Sequence, residues 1–419
     1  MDDNARSVTA TYSDNARRRR GSQILGTIVV PFTLAAYATW NLAPPQLLAG
    51  PLSRYLVVIT LVLAPLALVH LIRAPEAGSA WVLIFAMTLM PAVAIGTDSD
   101  YGRLKLLGIA LALTVTIAAV QLVNAQQIFH RFIQFYVGFA AIATTYTLLT
   151  AIDVSNGRLA SVGQAPISAG RLAGVTVLGC VVYLFWSKTK SGPKIAVSIL
   201  LAAVSVLVLV QSGSRGPLAG AAFAAAILLI PSKSSPRFTI LRFGTLACTS
   251  ILAYEAFTAS PTDQVAYGRV FTTSTSGRSY IYSETVSVLA EHPLGIGWGN
   301  LSDYVSFESL EPGRLYAHNL FLEVASEGGL LALFGLVIIL IVAFRRIRNS
   351  SVSEPIWHNL FISQMVFAFV NAMFSSDFAG NRSLWVFVGI ALSGMYSPSH
   401  RAVTARLVHS RPTWQESRH

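Results

Sequence analysis

Apolar residues gather along this chain in twelve runs that are separated by polar connections. The runs cover 23–40, 55–72, 80–96, 104–123, 130–150, 169–187, 194–211, 216–231, 239–258, 319–344, 356–375 and 384–398. A bilayer core about 30 Å thick needs roughly 20 apolar residues per helix. Because backbone polar groups cannot stay unpaired in lipid, such runs are expected to be helical. The pattern predicts an all-α integral membrane protein with about 12 transmembrane helices.

The composition supports this class and excludes others. Hydrophobic residues make up 53% of the chain and charged residues only 12%. Soluble domains carry about 25% charged residues, and disordered chains are also rich in charge. With only two cysteines, Cys180 and Cys248, a disulfide-stabilised scaffold is excluded as well.

The formal net charge of +11 follows from the membrane topology. If the N-terminus is cytoplasmic, twice as many Lys and Arg residues lie in cytoplasmic segments as in external ones. This bias is typical of membrane proteins, and it predicts a multi-pass membrane protein with both termini in the cytoplasm. Membrane lipids are therefore sufficient partners for the basic residues, and we expect no binding of nucleic acid.

The predicted spans divide the chain around one large extracytoplasmic loop between helices 9 and 10. The expected order is a basic cytoplasmic tail 1–22, helices 1–9 in 23–258, the loop 259–318, helices 10–12 in 319–398 and a basic cytoplasmic tail 399–419. The length and the many aromatic residues of the loop favour a folded, functional cap. We expect Trp298 in this cap to contact the faces of a sugar substrate.

Two candidate anion-binding positions lie at the external ends of predicted helices. Arg215 follows Ser214 in the sequence Ser-Gly-Ser-Arg-Gly at the outer end of span seven, and Arg171 lies at the outer start of span six. A guanidinium group binds phosphate with two parallel hydrogen bonds and keeps its charge at every working pH. A snorkelling arginine at a helix end is the structural alternative for both residues.

The loop and the helix after it supply three further candidates. Arg278 begins a predicted loop helix, where a solvated surface arginine is the alternative. His318 opens span ten and can take a proton from a hydroxyl near neutral pH, with an interfacial anchor as the alternative. Glu323 and Glu327 lie one turn apart on the same helix face, and carboxylates at membrane depth line a bundle interior or a wet cavity. We therefore expect Glu323 to contact substrate.

Other catalytic chemistries have little support in the sequence. No external cluster of His, Asp or Glu has the spacing of metal ligands, and no Gly-x-Ser-x-Gly nucleophile motif occurs. We expect neither a metal nor a cofactor.

The combination of these segments resembles the O-antigen ligase and polymerase family of bacterial envelope glycan enzymes, over roughly residues 170–345. The matching parts are Ser212–Gly216, Gly277–Arg278, His292–Gly297, His318–Asn319 and Glu327–Leu330. The resemblance implies an undecaprenyl-diphosphate-linked glycan as donor and a glycan or lipid hydroxyl as acceptor. It implies metal-independent transfer on the outer face of the membrane, with Arg215 and Arg278 on the donor diphosphate and His318 near the acceptor.

The resemblance leaves several activities open. After Gly329 the chain continues with Leu330, Leu331 and Ala332, whereas the ligase branch carries a small or hydroxyl residue such as Gly, Thr or Tyr at the third of these positions. A polymerase is therefore as compatible with the sequence as a ligase, and a protein O-oligosaccharyltransferase is a third member of the same class. The alternative from another class is a non-catalytic transporter or flippase of a lipid-linked glycan.

Overall fold

The structure is a computed structural model, and it describes most of the chain outside the two tails and one internal segment. The described residues are 25–39, 42, 53–97, 99–154, 158–189, 191–229, 278–306, 315–348 and 354–393. The predicted ninth span, 239–258, and the predicted cap residues 259–277 lie outside them.

Nearly all described residues are helical. A π-helical turn, Leu25–Val29, leads into the first of thirteen α-helices in the described ranges: α1 Val30–Thr39, α2 Ser53–Arg73, α3 Ala77–Ile95, α4 Asp100–Leu122, α5 Gln126–Leu149, α6 Pro166–Trp186, α7 Gly192–Gln211, α8 Arg215–Leu229, α9 Arg278–Glu291, α10 Leu301–Tyr304, α11 Leu320–Arg348, α12 Pro355–Ala372 and α13 Arg382–Leu392. Between α5 and α6, strand β1 (Ile152–Val154) pairs antiparallel with β2 (Arg158–Ala160), and Ile152 lies opposite Ala160.

A helix occurs at each of the eleven predicted spans that fall on described residues. Six of these helices are long and apolar enough to cross a membrane, namely α3, α4, α5, α6, α7 and α11. The sequence prediction of a helical membrane protein is therefore supported, whereas the count of twelve spans and the position of the loop stay predictions.

Helix α13 lies at the centre of the bundle. Every residue from Leu384 to Leu392 is buried, and the helix packs against α1, α4, α11 and α12. Close approach to α4 requires Gly389, since a Cβ there would lie 2.5 Å from the carbonyl oxygen of Thr116. Such burial is expected for a helix that is apolar on all sides.

Helix α11 is broken near its start by a non-helical residue. Gly329 has φ 81° and ψ 174°, so Leu330 cannot donate to the carbonyl of Ser326 as it would in a regular helix. The segment Pro293–Asn300, here called the glycine turn, replaces the lost partners. Leu330 N donates to Pro293 O (2.9 Å), Ile296 N to Ser326 O (3.0 Å) and Gly297 N to Glu327 O (3.1 Å).

This exchange of backbone hydrogen bonds requires glycines in the turn. Gly295 has φ 90°, and a Cβ there would lie 2.5 Å from Glu327 O. Gly297 has φ 88°, and its Cβ would lie 2.6 Å from Gly96 O at the end of α3. Because both close neighbours are backbone atoms, a side chain could not be accommodated by a rotamer change. The turn therefore joins the cap to two membrane helices.

Replacing Gly295 by alanine should destabilise the protein. The positive φ alone costs a non-glycine residue on the order of 1–3 kcal/mol, and the clash with Glu327 O adds to it. We expect a lower melting temperature of the detergent-purified protein. The matched control is Gly138→Ala in α5, where a Cβ meets nothing within 4 Å and the helix gains propensity. Equal melting temperatures for the two variants would contradict this account of the turn.

Candidate functional site at one end of the bundle

The connections that the charge pattern places outside the membrane meet at one end of the bundle, here called the site end. Asn300 Nδ2 in the cap donates to Gly96 O after α3 (3.1 Å). Tyr101 Oη at the start of α4 donates to Asp377 Oδ2 (3.2 Å), which lies between α12 and α13. Tyr101 and Asp377 are 276 residues apart in the chain, so the site end combines segments that are distant in the sequence.

The Ser-Gly-Ser-Arg turn is held by an arginine of the small β-hairpin. Arg158 Nε donates to Ser212 O (2.9 Å) and Arg158 Nη2 to Ser214 Oγ (2.8 Å). The sequence predicted that Ser214 contacts substrate. In the structure Ser214 is buried, and its hydroxyl accepts the hydrogen bond from Arg158. Arg215 is exposed and begins α8 directly after the turn. Sequence reasoning missed Arg158, because nothing local marks it as a partner of a turn 54 residues later.

Arg171 lies inside the bundle, so the alternative of a snorkelling side chain does not apply to it. Only 6% of its surface is exposed. Its Nη2 atom lies within hydrogen-bonding distance of Ser375 Oγ (2.8 Å), Ser375 O (3.0 Å), Asn371 O (3.3 Å) and Asn381 Oδ1 (3.4 Å), while its buried Nε has no partner. Arg171 therefore fixes the connection between α12 and α13 at the site end.

His318 has an unusual backbone conformation at the start of α11. Its φ is 53°, in the left-handed region that a non-glycine residue adopts only at a cost. The next residue, Asn319, caps the helix, since its Oδ1 accepts from Phe321 N (3.0 Å) and Leu322 N (3.2 Å). The strained backbone of His318 therefore lies at the junction between the extracytoplasmic cap and α11. Strain of this kind often marks functional positions.

The imidazole of His318 is held neutral. Burial, and next the positive charge of Arg278, lower the pKa of His318 to about 4. Its Nδ1 is buried without a hydrogen-bond partner, and its ring centroid lies 4.2 Å from that of Tyr316. A neutral imidazole with a free nitrogen can accept a proton from a hydroxyl group.

Arg278 influences His318 electrostatically because α9 packs against the bundle. The buried face of α9, formed by Ile281 and Val288, joins an apolar cluster with Ile296, Leu301 and Ala317, and α9 packs against α11. The arginine at the first position of α9 therefore acts on the histidine at the start of α11.

A series of contacts and electrostatic interactions connects the candidate residues. Arg278 acts electrostatically on His318, His318 lies against Tyr316, and Tyr316 interacts electrostatically with Arg171. Arg171 contacts Asn371 O. At the start of α8, a Cβ on Gly216 would lie 2.9 Å from Phe374 and 3.9 Å from Asn371 Oδ1, and Gly216 follows Arg215 directly. The four predicted cationic or basic residues thus belong to one end of the bundle.

Glu323 and Glu327 lie in a buried ion cluster. Lys105 Nζ of α4 lies 2.6 Å from Glu323 Oε1 and 2.6 Å from Glu327 Oε2, and the side chains of all three residues are fully buried. Glu323 is therefore engaged by Lys105 and has no exposed surface for a substrate in this arrangement. Lys105 is a site-end residue that sequence reasoning missed, although a lysine among the apolar residues of span four was a signal.

Trp298 is also fully buried. Its indole would lie 3.0 Å from a Cβ on Gly328, and its ring meets the edge of Phe378 at a centroid distance of 5.8 Å. In this position Trp298 packs the glycine turn against α11 and presents no face to a sugar. Among the cap aromatics that the structure describes, Tyr280 and Tyr304 remain exposed, at 43% and 46%.

The described residues contain no group of three or more His, Cys, Asp or Glu side chains that could hold a metal ion. Arg215 and Arg278 bring positive charge to the site end. Such groups favour an anionic ligand, because guanidinium groups bind phosphate oxygens through charge-assisted hydrogen bonds.

Comparison with known proteins identifies one family segment. Residues 159–337 match the family model Wzy_C, described as O-antigen ligase. The matched segment begins in strand β2, includes Arg215, Arg278 and His318, and ends within α11. The family resemblance that the sequence motifs indicated is therefore confirmed. A search of curated proteins found no match to the chain.

The lowered pKa of His318 has a measurable effect on stability. Between the pKa of about 4 in the folded protein and about 6.5 in the unfolded chain, the unfolded state binds more protons. Stability therefore falls as the pH drops through this window. We expect the melting temperature to fall more between pH 7.5 and pH 5 for the unchanged protein than for His318→Ala. The other histidines are common to both proteins, so an equal fall would show that His318 titrates normally.

Proposed function

We propose that this chain, whose residues 159–337 match the O-antigen ligase family model, transfers a glycan from an undecaprenyl-diphosphate carrier to a hydroxyl group of a lipid anchor or glycan. The observation that carries the proposal is the partly buried imidazole of His318 at the start of α11, whose pKa is lowered by burial and by the positive charge of Arg278. A proton acceptor next to a fixed cation suits a reaction in which a hydroxyl attacks and a diphosphate leaves.

The reaction needs no energy source other than the donor. The acceptor oxygen forms a bond to the anomeric carbon, the bond from that carbon to the diphosphate oxygen breaks, and the hydroxyl proton passes to His318. Direct displacement inverts the anomeric configuration. Arg215 and Arg278 stabilise the charge that develops on the diphosphate, and the transfer is metal-independent. Removing one such electrostatic contact typically costs about 10²–10³ in rate.

The low pKa of His318 fits this role when the donor is bound. In the free protein the imidazole is neutral at pH 7, because burial and Arg278 disfavour its charged form. A bound diphosphate adds negative charge beside Arg278 and so offsets the repulsion of an imidazolium. The donor itself therefore makes His318 a better base, which links proton transfer to occupancy of the site.

The buried candidates receive supporting roles. Arg171 and Ser214 shape the site end through Ser375 and Arg158, rather than by contacting the carrier from an exposed surface. Because Trp298 is buried, we assign the aromatic contacts with sugars to the exposed Tyr280 and Tyr304. Glu323 acts through Lys105.

The membrane topology of the proposal follows the charge pattern. Twelve spans with both termini in the cytoplasm put the site end on the outer face of the bacterial plasma membrane. The apolar outer surfaces of helices such as α3 and α7 then face lipid and the polyprenyl tail. This arrangement explains why a small polar site lies on so much apolar protein.

Arg215→Ala, Arg278→Ala and His318→Ala should each lower glycan transfer at least a hundredfold without loss of protein from the membrane. Arg278→Lys should also be poor, because a single ammonium group cannot replace the bidentate guanidinium. The measurement is surface glycan on immunoblots of a deletion strain that expresses each variant. The control is Arg103→Ala, which removes a surface arginine of α4 whose side chain is 67% exposed. Full activity of all three alanine variants would refute the mechanism.

If the acceptor is a lipid anchor, as in a ligase, deletion of the gene should leave long glycan chains on the carrier and none attached to the anchor. Gel analysis of the anchored and carrier-linked fractions measures this. Single repeat units on the anchor would instead assign a polymerase, and loss of glycan from secreted proteins alone would assign a protein O-oligosaccharyltransferase. Unmodified carrier-linked glycan confined to the inner leaflet would indicate a flippase.

A further inference from the structure

The buried cluster of Lys105, Glu323 and Glu327 connects four parts of the site end. Lys105 belongs to α4 and both glutamates belong to α11. Glu327 Oε2 also accepts a hydrogen bond from Gly299 N in the glycine turn (2.8 Å). Glu323 Oε1 accepts one from Phe378 N between α12 and α13 (3.0 Å). A single ammonium group therefore fixes two membrane helices, the cap and the connection that carries Ser375 and Asn381.

The cluster lies directly behind the proposed site. Glu323 is five residues after His318 and lies in the first turn of α11, the helix whose start orients the imidazole. The connection fixed through Phe378 also supplies the partners of Arg171. A shift of the first two turns of α11 would move His318 relative to both arginines.

The charges of the cluster limit what Lys105 can do. Its ammonium group lies 2.6 Å from a carboxylate oxygen on each side and is fully buried. Glu323 Oε2 and Glu327 Oε1 are also buried and have no hydrogen-bond partner, so both carboxyl groups keep acceptor capacity beside the ammonium group. Lys105 is therefore surrounded by acceptors, and a donor phosphate would have to compete with two carboxylates in its immediate contact.

We propose that Lys105 is a positioning residue of the transfer reaction: through Glu323 and Glu327 it holds α11 so that His318 faces the site, and it does not contact the donor diphosphate. This inference rests on the proposed function. It assigns Lys105 an effect on turnover and none on donor affinity, which separates it from Arg215 and Arg278.

The decisive variant neutralises the whole cluster. In Lys105→Met/Glu323→Gln/Glu327→Gln no charge is left buried without a partner, and each glutamine can still accept the hydrogen bond from Gly299 N or Phe378 N. The triple variant should therefore accumulate in the membrane like the unchanged protein. Lys105→Met alone leaves two buried carboxylates without their cation and should accumulate at least fivefold less. The matched control is Arg103→Met on the exposed face of α4.

The kinetics of the detergent-purified triple variant test the inference with an undecaprenyl-diphosphate-linked glycan as the probe. We expect kcat to fall about threefold to tenfold and the KM for the donor to stay within twofold, since positioning of His318 is a transition-state effect. A donor KM raised more than fivefold would make Lys105 a donor ligand and overturn the proposal. Unchanged kcat and KM would show that the cluster only stabilises the fold, and this result would also overturn the proposal.

Two further measurements keep the test decisive. If the triple variant does not accumulate, Glu323→Gln is measured in its place, because it leaves Lys105 with one full counter-charge at Glu327. The same three kinetic outcomes then apply. If the unchanged protein transfers no glycan from this donor, the proposed function fails; if it does and a variant shows a raised KM, only the inference about Lys105 fails.

Discussion

An ammonium group can lie inside an apolar helix bundle only if opposite charges and hydrogen bonds compensate its lost hydration. Lys105 meets this condition with two carboxylates of α11, and those carboxylates accept backbone N–H groups from two further segments. Because an unpaired buried charge costs several kcal/mol, the arrangement permits little displacement of any partner. The geometry of the whole site end depends on this compensation.

The kink in α11 provides the second constraint. A helix interrupted at Gly329 leaves donors and acceptors that must be satisfied within the bundle, and the glycine turn satisfies them through Pro293, Ile296 and Gly297. The glycines of the turn and the paired glycines of α11 therefore form one structural unit, although some 30 residues separate them. Their function is to dock the cap, and with it Arg278, onto the helix that carries His318.

Burial divides the charged residues of the site end into two groups. Lys105, Arg171, Glu323 and Glu327 are buried and determine how the helices meet. Arg215 is exposed, and Arg278 lies at the start of a cap helix, where a ligand can approach. His318 lies between the two groups, with one side against Tyr316 and its charge state governed by burial and by Arg278. A site of this kind combines a rigid interior with cations near the surface.

The sequence alone determined the helical membrane class, because apolar runs of this length have no other stable form in lipid. It also determined where eleven of the described helices lie and that Arg215, Arg278 and His318 fall in the segment that matches the family model. It could not determine which polar residues are already paired. The sequence suggested that three residues are free to contact substrate, namely Ser214, Glu323 and Trp298. In the structure these residues contact Arg158, Lys105 and Gly328, respectively, which lie in distant segments. Such contacts depend on how helices pack, and helical periodicity describes each helix by itself, so only the tertiary structure decided them.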